Sequence, residues 1–551
     1  MAPVIIATDK TQLTQFLGGK SAYPVYLTIG NIPKGVRRKP SMNASILIAY
    51  LPVEKIDRSK MTQAQHRSRV QHLFHEAMTV VLKPLKDAGK DGVPMESSNG
   101  EVRSVHPILS CYVADYPEQC LVSCTKYGTC FKCRCPAGEL ASPDPSEQRT
   151  QSWTTSVQKR AKKDSKGKIN RFHQLAMQQD VSGNVYDPFW KDFPHTDIHR
   201  IMTPDVLHQL YQGIFKHLIS WCQSIVGEKE LDQRIQSLPY AHGLRHFKTG
   251  ISNMSQISGS ERKDMAKVLL GCLVGIMAPQ GVKAVKGLLD FIYLSQYPQH
   301  DTETLKYLQS ALDLFHKNKK YFIDVSCHPD LNIPKLHSLL HYIDCIKLFG
   351  TTDNYNTEMF ERLHIDFAKE GWRASNHRDE FPQMIQWLSR QEKISSLHTR
   401  IEAQSSNSTL PHADPIPPAT SLSPKHSISI AKKSRLPNRS IESIEKMHNA
   451  PTFGHHLKRY LASFLDHSVA DRRLSEASLP IQAVDVFTSF RFTRDQLNED
   501  NEQSDIVRAL PISKSVPCGQ FDTVVVMDSD EAEATALTGQ FIPLFAAPFL
   551  S

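Results

Sequence analysis

Three short runs rich in β-branched and aromatic residues precede any helix-period stretch, and that order narrows the fold more than any other feature. The runs are PVIIAT at 3–8, YPVYLTIGNI at 23–32 and SILIAYL at 45–51. Gly18-Gly19 and Pro33-Lys34-Gly35 mark turns between them. Over 62–87 the period changes. Val70, Phe74, Met78 and Leu82 recur every four residues, which predicts an amphipathic helix ending near Pro84. A fourth apolar run, VRSVHPILSCYVADYPE at 102–118, leads into Asp115. The predicted order is β-β-β-α-β, an α/β class, with Asp9 closing the first strand and Asp115 the fourth.

Bulk composition sets broad limits. A chain of 551 residues predicts two to four domains, and 40% hydrophobic residues can build a sizeable core. No apolar run reaches the roughly 18 residues of a membrane span, and no basic-then-apolar leader opens the chain, so an intracellular protein is expected. The net charge of +8 suits a polyanion partner without demanding one.

Asp9 and Asp115 would meet on neighbouring strands. Two close carboxylates stay ionised together only if a divalent cation neutralises them, and oxygen ligands suit Mg²⁺ or Mn²⁺. Pattern alone favours ordinary strand-end or N-cap aspartates, which are common. Glu358 and Glu361, in TEMFERLHIDFAKEG, share one helix face and offer a third acid. In PHTDIHRIMTPDVLHQL, Asp205 and His208 share a helical face, and His208 could orient a carboxylate or touch a phosphate. Thr203-Pro204 reads as the N-cap and first turn of that helix. Lys335, His337 and His341 could line a groove or form the polar side of a helix.

Five of the eleven cysteines fall in CLVSCTKYGTCFKCRCP. Cys130-x2-Cys133 is half of a tetrahedral zinc site, because the tight turn aims two thiolates at one point. Cys124 and Cys135 are the expected other ligands of a structural Zn²⁺, with Cys120 or His173 as alternates. Two basic stretches are candidates for phosphate contact: Arg37, Arg38 and Lys39, and Lys159, Arg160, Lys162 and Lys163. The segment 137–170 reads as polar, 171–350 as helical, and 403–450 as Ser/Pro/Asn-rich and disordered.

Several long segments, in order, closely resemble the Plavaka transposases of fungal DNA transposons: DKTQLTQFLGGKSAYPVYLTIGNIPKGVRRKPSMNASILIAYLP, TPDVLHQLYQGIFKHLISW and FERLHIDFAKEGWRASNHRDEFPQM. CACTA-type transposases are more distantly similar. The resemblance spans roughly 4–400. It implies an RNase H-like core with a DDE acid triad: Asp9 as first acid, Asp115 as second and Glu361 as third, with Glu358 and Asp205 as fallbacks and His208 auxiliary. It also implies a zinc knuckle after the second acid and a large all-α insertion. The expected layout is 1–118 for the N-terminal part of the core, 119–136 for the knuckle and 137–350 for the insertion. The rest of the core would occupy 351–402, followed by a linker at 403–450 and a small region at 451–551.

The implied chemistry is metal-dependent hydrolysis of a DNA phosphodiester, then strand transfer by the freed 3′-OH. Two Mg²⁺ or Mn²⁺ ions would bridge the three acids. Implied partners are transposon-end and target DNA in the nucleus, with a homodimer or higher oligomer on DNA. Because such transposases carry a DNA-reading region before the first acid, the early Asp9 is read as an N-terminal truncation. The alternatives are a catalytically inactive, transposase-derived DNA- or chromatin-binding protein and, more weakly, a zinc-knuckle RNA-binding protein.

Overall fold

The computed structural model describes residues 1–14, 19–53, 56–57, 59, 61–97, 99–144, 146–182, 185–241, 244–407, 426–431, 434–447, 451–462, 483–494, 504–511, 520–521, 523–526, 542–545 and 549–550. The chain divides into two compact units, Met1–Pro411 and His412–Ser551. The first is a mixed α/β unit with a small sheet and many helices.

That sheet is built from the four predicted runs: β1 (Ala2–Thr8), β2 (Pro24–Ile29), β3 (Ser45–Tyr50) and β4 (Pro107–Val113). Its order is β3-β2-β1-β4. β1 runs antiparallel to β2, from Val4 opposite Ile29 to Thr8 opposite Val25. β2 runs antiparallel to β3. β1 and β4 are parallel, with Ile5 opposite Cys111 and Ala7 opposite Val113. A parallel pair cannot close with a hairpin, and the return is made by the long helix α1 (Gln63–Asp91). Thr62 starts α1 through a capping box with Gln65.

α1 does not end at Pro84 as the sequence predicts; it continues to Asp91. Pro84 is exposed, and so is Val80, whose carbonyl loses its partner to the proline ring. On that outer face water can take the carbonyl, so the break is tolerated.

Alternation along β1 sends its side chains into two separate cores. Val4 and Ile6, with Val25 and Leu109, pack on Phe74, Met78 and Leu82 of α1. Ile5 and Ala7, with Tyr26, Cys111 and Val113, pack on Phe360 and Leu363 of a second helix. The sheet is therefore covered on both faces, and the acids of that second helix are held beside it.

α2 (Tyr116–Val122) leads into the knuckle, and beyond it α3 (Gln151–Asp164) leads into a helical layer with its own core. A π-helical turn at Val206–Phe215 continues as α4 (Lys216–Val226). Its N-cap is Asp205 rather than Thr203, whose hydroxyl is turned to the Tyr112 carbonyl at 3.4 Å. α5 (Gly259–Leu273), α6 (Pro279–Leu294) and α7 (Thr302–Asn318) complete that layer. The chain then returns to the sheet as α8 (Thr357–His364), the helix that covers its second face, and leaves through α9 (Glu380–Asn407).

The stretch 403–450, expected to be a disordered linker, carries described secondary structure. α9 extends into it, and His426–Ile430, Leu436–Ser440 and Ile441–Met447 are strand, strand and helix. The Ser/Ile alternation of HSISI is a strand pattern that the polar composition around it masks. This strand pairs with Ser489–Arg494 inside the second unit, Ile430 opposite Phe490.

His75, on α1, shows how tightly the first face is packed. It is buried, donates from Nε2 to the Leu121 carbonyl at 3.0 Å and accepts the Phe189 amide on Nδ1 at 3.4 Å. These partners fix a neutral ring, and burial lowers its pKa to about 4. The unfolded chain therefore takes up a proton between about pH 6.5 and 4 that the folded chain refuses, so stability falls as pH falls through that window. The loss is on the order of 3 kcal/mol. We expect thermal midpoints to drop from pH 7 to pH 4.5, and a His75→Phe variant to show a visibly shallower drop over the same window. Equal slopes for both proteins would contradict the assignment.

Candidate functional site

Asp9 and Asp115 each lie two residues past the paired positions Ala7 and Val113. Because β1 and β4 are parallel and adjacent, both acids leave the same edge of the sheet. Asp115 is the N-cap of α2, and its Oδ1 accepts the Glu118 amide at 3.0 Å. Burial raises the Asp115 carboxyl above its usual range; the Glu118 amide and His208 oppose this, while Asp9 and Asp205 add to it.

Glu361 reaches the same region from the opposite side of the chain. α8 buries Phe360 and Leu363 against the sheet, which turns Glu361 toward the loop carrying His208. His208 Nε2 is 3.1 Å from Glu361 Oε1, and its Nδ1 is 2.6 Å from Asp205 Oδ2. Asp205 is buried and saturated: it accepts the Leu207 and His208 amides at 3.0 and 3.1 Å and the Thr357 hydroxyl at 2.7 Å. Burial is the largest influence on His208 and lowers its pKa, but Asp205, Glu361 and Asp115 outweigh it and hold the imidazolium up to about 9. Glu361 is pushed up to about 7, first by burial and then by Asp9, Asp205 and Glu358, against the pull of His208.

The fallback acid is committed elsewhere. Glu358 pairs with Lys263 at 2.6 Å and touches the Asn356 amide at 3.1 Å. Arg362, on the next turn of the same helix, binds Asp366 at 3.0 Å.

Two residues at the site carry no local sequence signal. His364 is buried, takes the Tyr26 hydroxyl at Nδ1 (3.0 Å) and meets Asp9 Oδ2 with Nε2 at 3.1 Å, so it orients the first acid. Glu118 is a buried fourth carboxyl that accepts the Thr8 hydroxyl, which itself touches the Tyr112 hydroxyl at 2.9 Å. Burial first, then Asp115 and Asp9, raise Glu118 well above the carboxylate range. Asp9, Asp115 and Glu118 line one cavity of about 900 Å³ whose other walls include Tyr23, Leu51, Val70 and Phe74.

The cysteine knuckle differs from its predicted form. Cys130 and Cys133 are joined by His337 and His341, not by Cys124 and Cys135; these four donor atoms lie within 4.8 Å of one another. Cys133 Sγ is 3.0 Å from His337 Nε2, and Cys130 Sγ is 3.3 Å from His341 Nε2. The Lys132 and Cys133 amides point at Cys130 Sγ at 3.3 and 3.4 Å. The other His337 nitrogen, Nδ1, faces the Leu140 carbonyl at 3.2 Å, the outer contact that fixes a metal-binding imidazole. The Cys130 thiol, then His337 and His341, pull Cys133 far down toward the thiolate, and burial lowers the His341 pKa. Two cysteine sulfurs and two imidazole nitrogens at these distances suit a metal ion such as zinc.

Cys124 instead sits in a left-handed backbone turn with Sγ 3.6 Å from His75, and Cys135 faces the Pro136 carbonyl at 3.6 Å. Cys120 and His173 are also outside the cluster. The two histidines lie some two hundred residues from the cysteines, a distance that local spacing cannot bridge. The only signal was the x3 spacing of His337 and His341, which places both rings on one side of a helical turn.

The first basic stretch is structural. Arg37 is buried, donating to the Ile32 carbonyl at 3.1 Å and to Asn354 Oδ1 at 2.7 Å. Arg38 pairs with Asp353 at 2.7 Å. Lys39 is half-buried at the head of a short 3₁₀ turn. Arg37 and Arg38 brace the loop before α8 rather than form a free patch. Lys159, Arg160, Lys162 and Lys163 are exposed on α3, with Lys162 Nζ lying 3.2 Å over the Tyr186 ring.

Residues 1–222 match the family model described as Plavaka transposase. This stretch is a Plavaka-type transposase domain. The match takes in Asp9, Asp115, the two knuckle cysteines and the Asp205–His208 turn, and ends before His337, His341 and Glu361. Residues 401–541 match a second model, described as a domain of unknown function (DUF6830). No curated protein matches the chain. The match of this stretch to a transposase family makes DNA the expected macromolecular partner and nucleic-acid processing the general activity. Among the described residues no helix is long and apolar enough to cross a membrane.

The metal centre yields a direct test. Purified protein should carry about one zinc per chain, and Cys133→Ser or His337→Ala should lower that content and the thermal midpoint together. Cys124→Ser and Cys135→Ser should keep the metal. Metal loss in the second pair but not the first would restore the all-cysteine site.

Proposed function

We propose that this chain is a DDE-type DNA transposase with an RNase H-like core, and that Asp9, Asp115 and Glu361 are its acid triad. One observation carries the reading: two acids leave the same edge of adjacent parallel strands, and the helix covering the opposite face brings a third into their field. The sheet order β3-β2-β1-β4, with only β4 parallel to β1, supports the RNase H-like reading.

The carboxylates offer hard oxygen donors that suit Mg²⁺ or Mn²⁺. Divalent cations bound there would supply an activated water or 3′-OH and charge stabilisation of the departing oxygen in phosphodiester hydrolysis and strand transfer. The chain's own residues set the stage for that chemistry. His364 holds Asp9, the α2 amides hold Asp115, and the Asp205–His208 pair holds Glu361. Glu118 ties the end of β1 to α2 through Thr8, fixing the spacing of the first two acids. The Cys130–Cys133–His337–His341 group takes structural Zn²⁺ and fastens the knuckle to the segment leading into α8. Lys159, Arg160, Lys162 and Lys163 contact the DNA backbone, and the protein acts in the nucleus as a dimer or higher assembly on DNA.

The test is a Mg²⁺- or Mn²⁺-dependent nicking assay on supercoiled plasmid. Asp9→Asn, Asp115→Asn and Glu361→Gln should each reduce cleavage to background, and Glu358→Gln should leave it largely intact. His208→Ala, which removes the imidazolium between Asp205 and Glu361, should cost about 10- to 100-fold. Equal cleavage by wild type and Asp115→Asn would sink the triad. DNA binding without cleavage by any of the proteins, wild type included, would favour the non-catalytic, transposase-derived binding protein.

A further inference from the structure

Beside the metal cluster lies a second cavity of about 520 Å³ that the acid site does not use. Its position follows from the knuckle. The strand-like segment 147–149 runs back along it, with Arg134 N donating to Glu147 O and Arg149 N to Lys132 O, both at 2.8 Å. This pins Arg149 under the metal cluster, where its Nε donates to the Cys130 and Cys133 carbonyls at 2.8 and 3.0 Å. Arg149 is only 4% exposed; its guanidinium lies 5.2 Å from the Trp153 ring centroid, and its Nη1 is buried with no hydrogen-bond partner. The ring faces the cation but offers no oxygen acceptor, so a buried guanidinium N–H is still short of one.

The rest of the lining is of the same sign. Lys132, Arg200 and Lys347 join Arg149 around the cavity. Thr150, the N-cap of α3, also lines it, so the positive end of that helix's dipole opens nearby. Two carboxylates face these cations. Asp197 is turned to backbone, accepting the Gln151, His199 and Arg200 amides at 2.8, 3.0 and 3.3 Å. Asp344 is exposed at the rim. His199 also lines the cavity but is committed to the Phe131 carbonyl and the Thr154 hydroxyl, both at 2.7 Å. Arg200 and Lys347 are exposed and form no ion pair among the described residues.

We propose that this cavity is a backbone-phosphate site for DNA, with the Arg149 guanidinium at its floor and Arg200 and Lys347 at its mouth. A space far larger than one anion, open at a rim of long cations, fits a phosphodiester entering with its flanking sugars better than it fits free phosphate. The proposal uses the transposase reading only to name DNA as the carrier of the phosphate, and it involves neither Asp9 nor Asp115. Its place on the knuckle makes the metal cluster the rigid support of a DNA contact.

The test measures binding of the full chain to a fluorescein-labelled duplex by anisotropy across a salt series without Mg²⁺. Arg200→Glu combined with Lys347→Glu should weaken binding about tenfold or more and reduce the log–log salt slope by about one to two. A comparator pair on the helical insertion, Lys229→Glu with Lys248→Glu, should leave the slope close to wild type. Zinc content and far-UV circular dichroism report that each variant is folded. Arg149→Met should act in the same direction, and the Arg200/Lys347 pair decides the matter if that variant fails to fold. An unchanged slope in the folded Arg200/Lys347 variant overturns the proposal. So does loss of thermal protection by inorganic phosphate with DNA binding intact, which would make the cavity a free-anion site. Cleavage is not read, so failure here stands apart from failure of the acid triad.

Discussion

The parallel pairing of β1 with β4 is the constraint on which the rest of the first unit depends. A parallel neighbour forces a crossover, and α1 supplies it while covering one face of the sheet. The other face is then left for an element from much later in the chain, and α8 fills it. The same pairing sends Asp9 and Asp115 off one edge. Had the two strands been antiparallel, the acids would have pointed to opposite ends, and no placement of Glu361 could have joined them.

Around that edge, each acid is held by a group from another part of the fold. His364 comes from α8 and meets Asp9; His208 comes from the π-helical turn and meets Glu361. The π-helical turn matters because its extra residue per turn departs from the α-helical register just where Asp205, His208 and Thr357 converge. Lys335 adds to this junction by donating to the His208 carbonyl at 2.7 Å, across a position where Gly213 leaves no room for a side chain. Four carboxyl groups in one neighbourhood would repel strongly if all were charged. Burial and neighbouring acids raise Glu118, Asp115 and Glu361, and the same carboxylates hold the His208 imidazolium up to about 9.

What the sequence revealed divides along the range of the interactions. The β-β-β-α-β order was legible because hydrophobic period is a local property, and Val4 to Thr8 or Phe74 to Leu82 display it within a few residues. Asp9 and Asp115 could be singled out because each closes such a run. The partners could not. His364 on Asp9, Glu361 on His208, and His337 and His341 on the cysteines are all contacts across long stretches of chain, whereas the local Asp205–His208 pair was legible from its shared helical face. Arg37 and Arg38 misled for the same reason: a basic run reads as a solvated patch until the carboxylate and amide of Asp353 and Asn354 arrive from far downstream. Pro84 misled in the opposite way, since a breaker on an outer helix face costs little when water can reach the freed carbonyl.

The distance between the acids along the chain has a consequence in time. A ribosome adds about 5–20 residues per second. It therefore spends on the order of tens of seconds between Asp115 and Glu361, and the whole helical layer and both histidines of the metal cluster emerge in that interval. A nascent chain holds two acids of the three while α8 has still to be made, and a product cut short in the helical layer never acquires the third. For a protein whose chemistry would act on DNA, completeness of synthesis becomes a condition of activity, enforced by chain order alone.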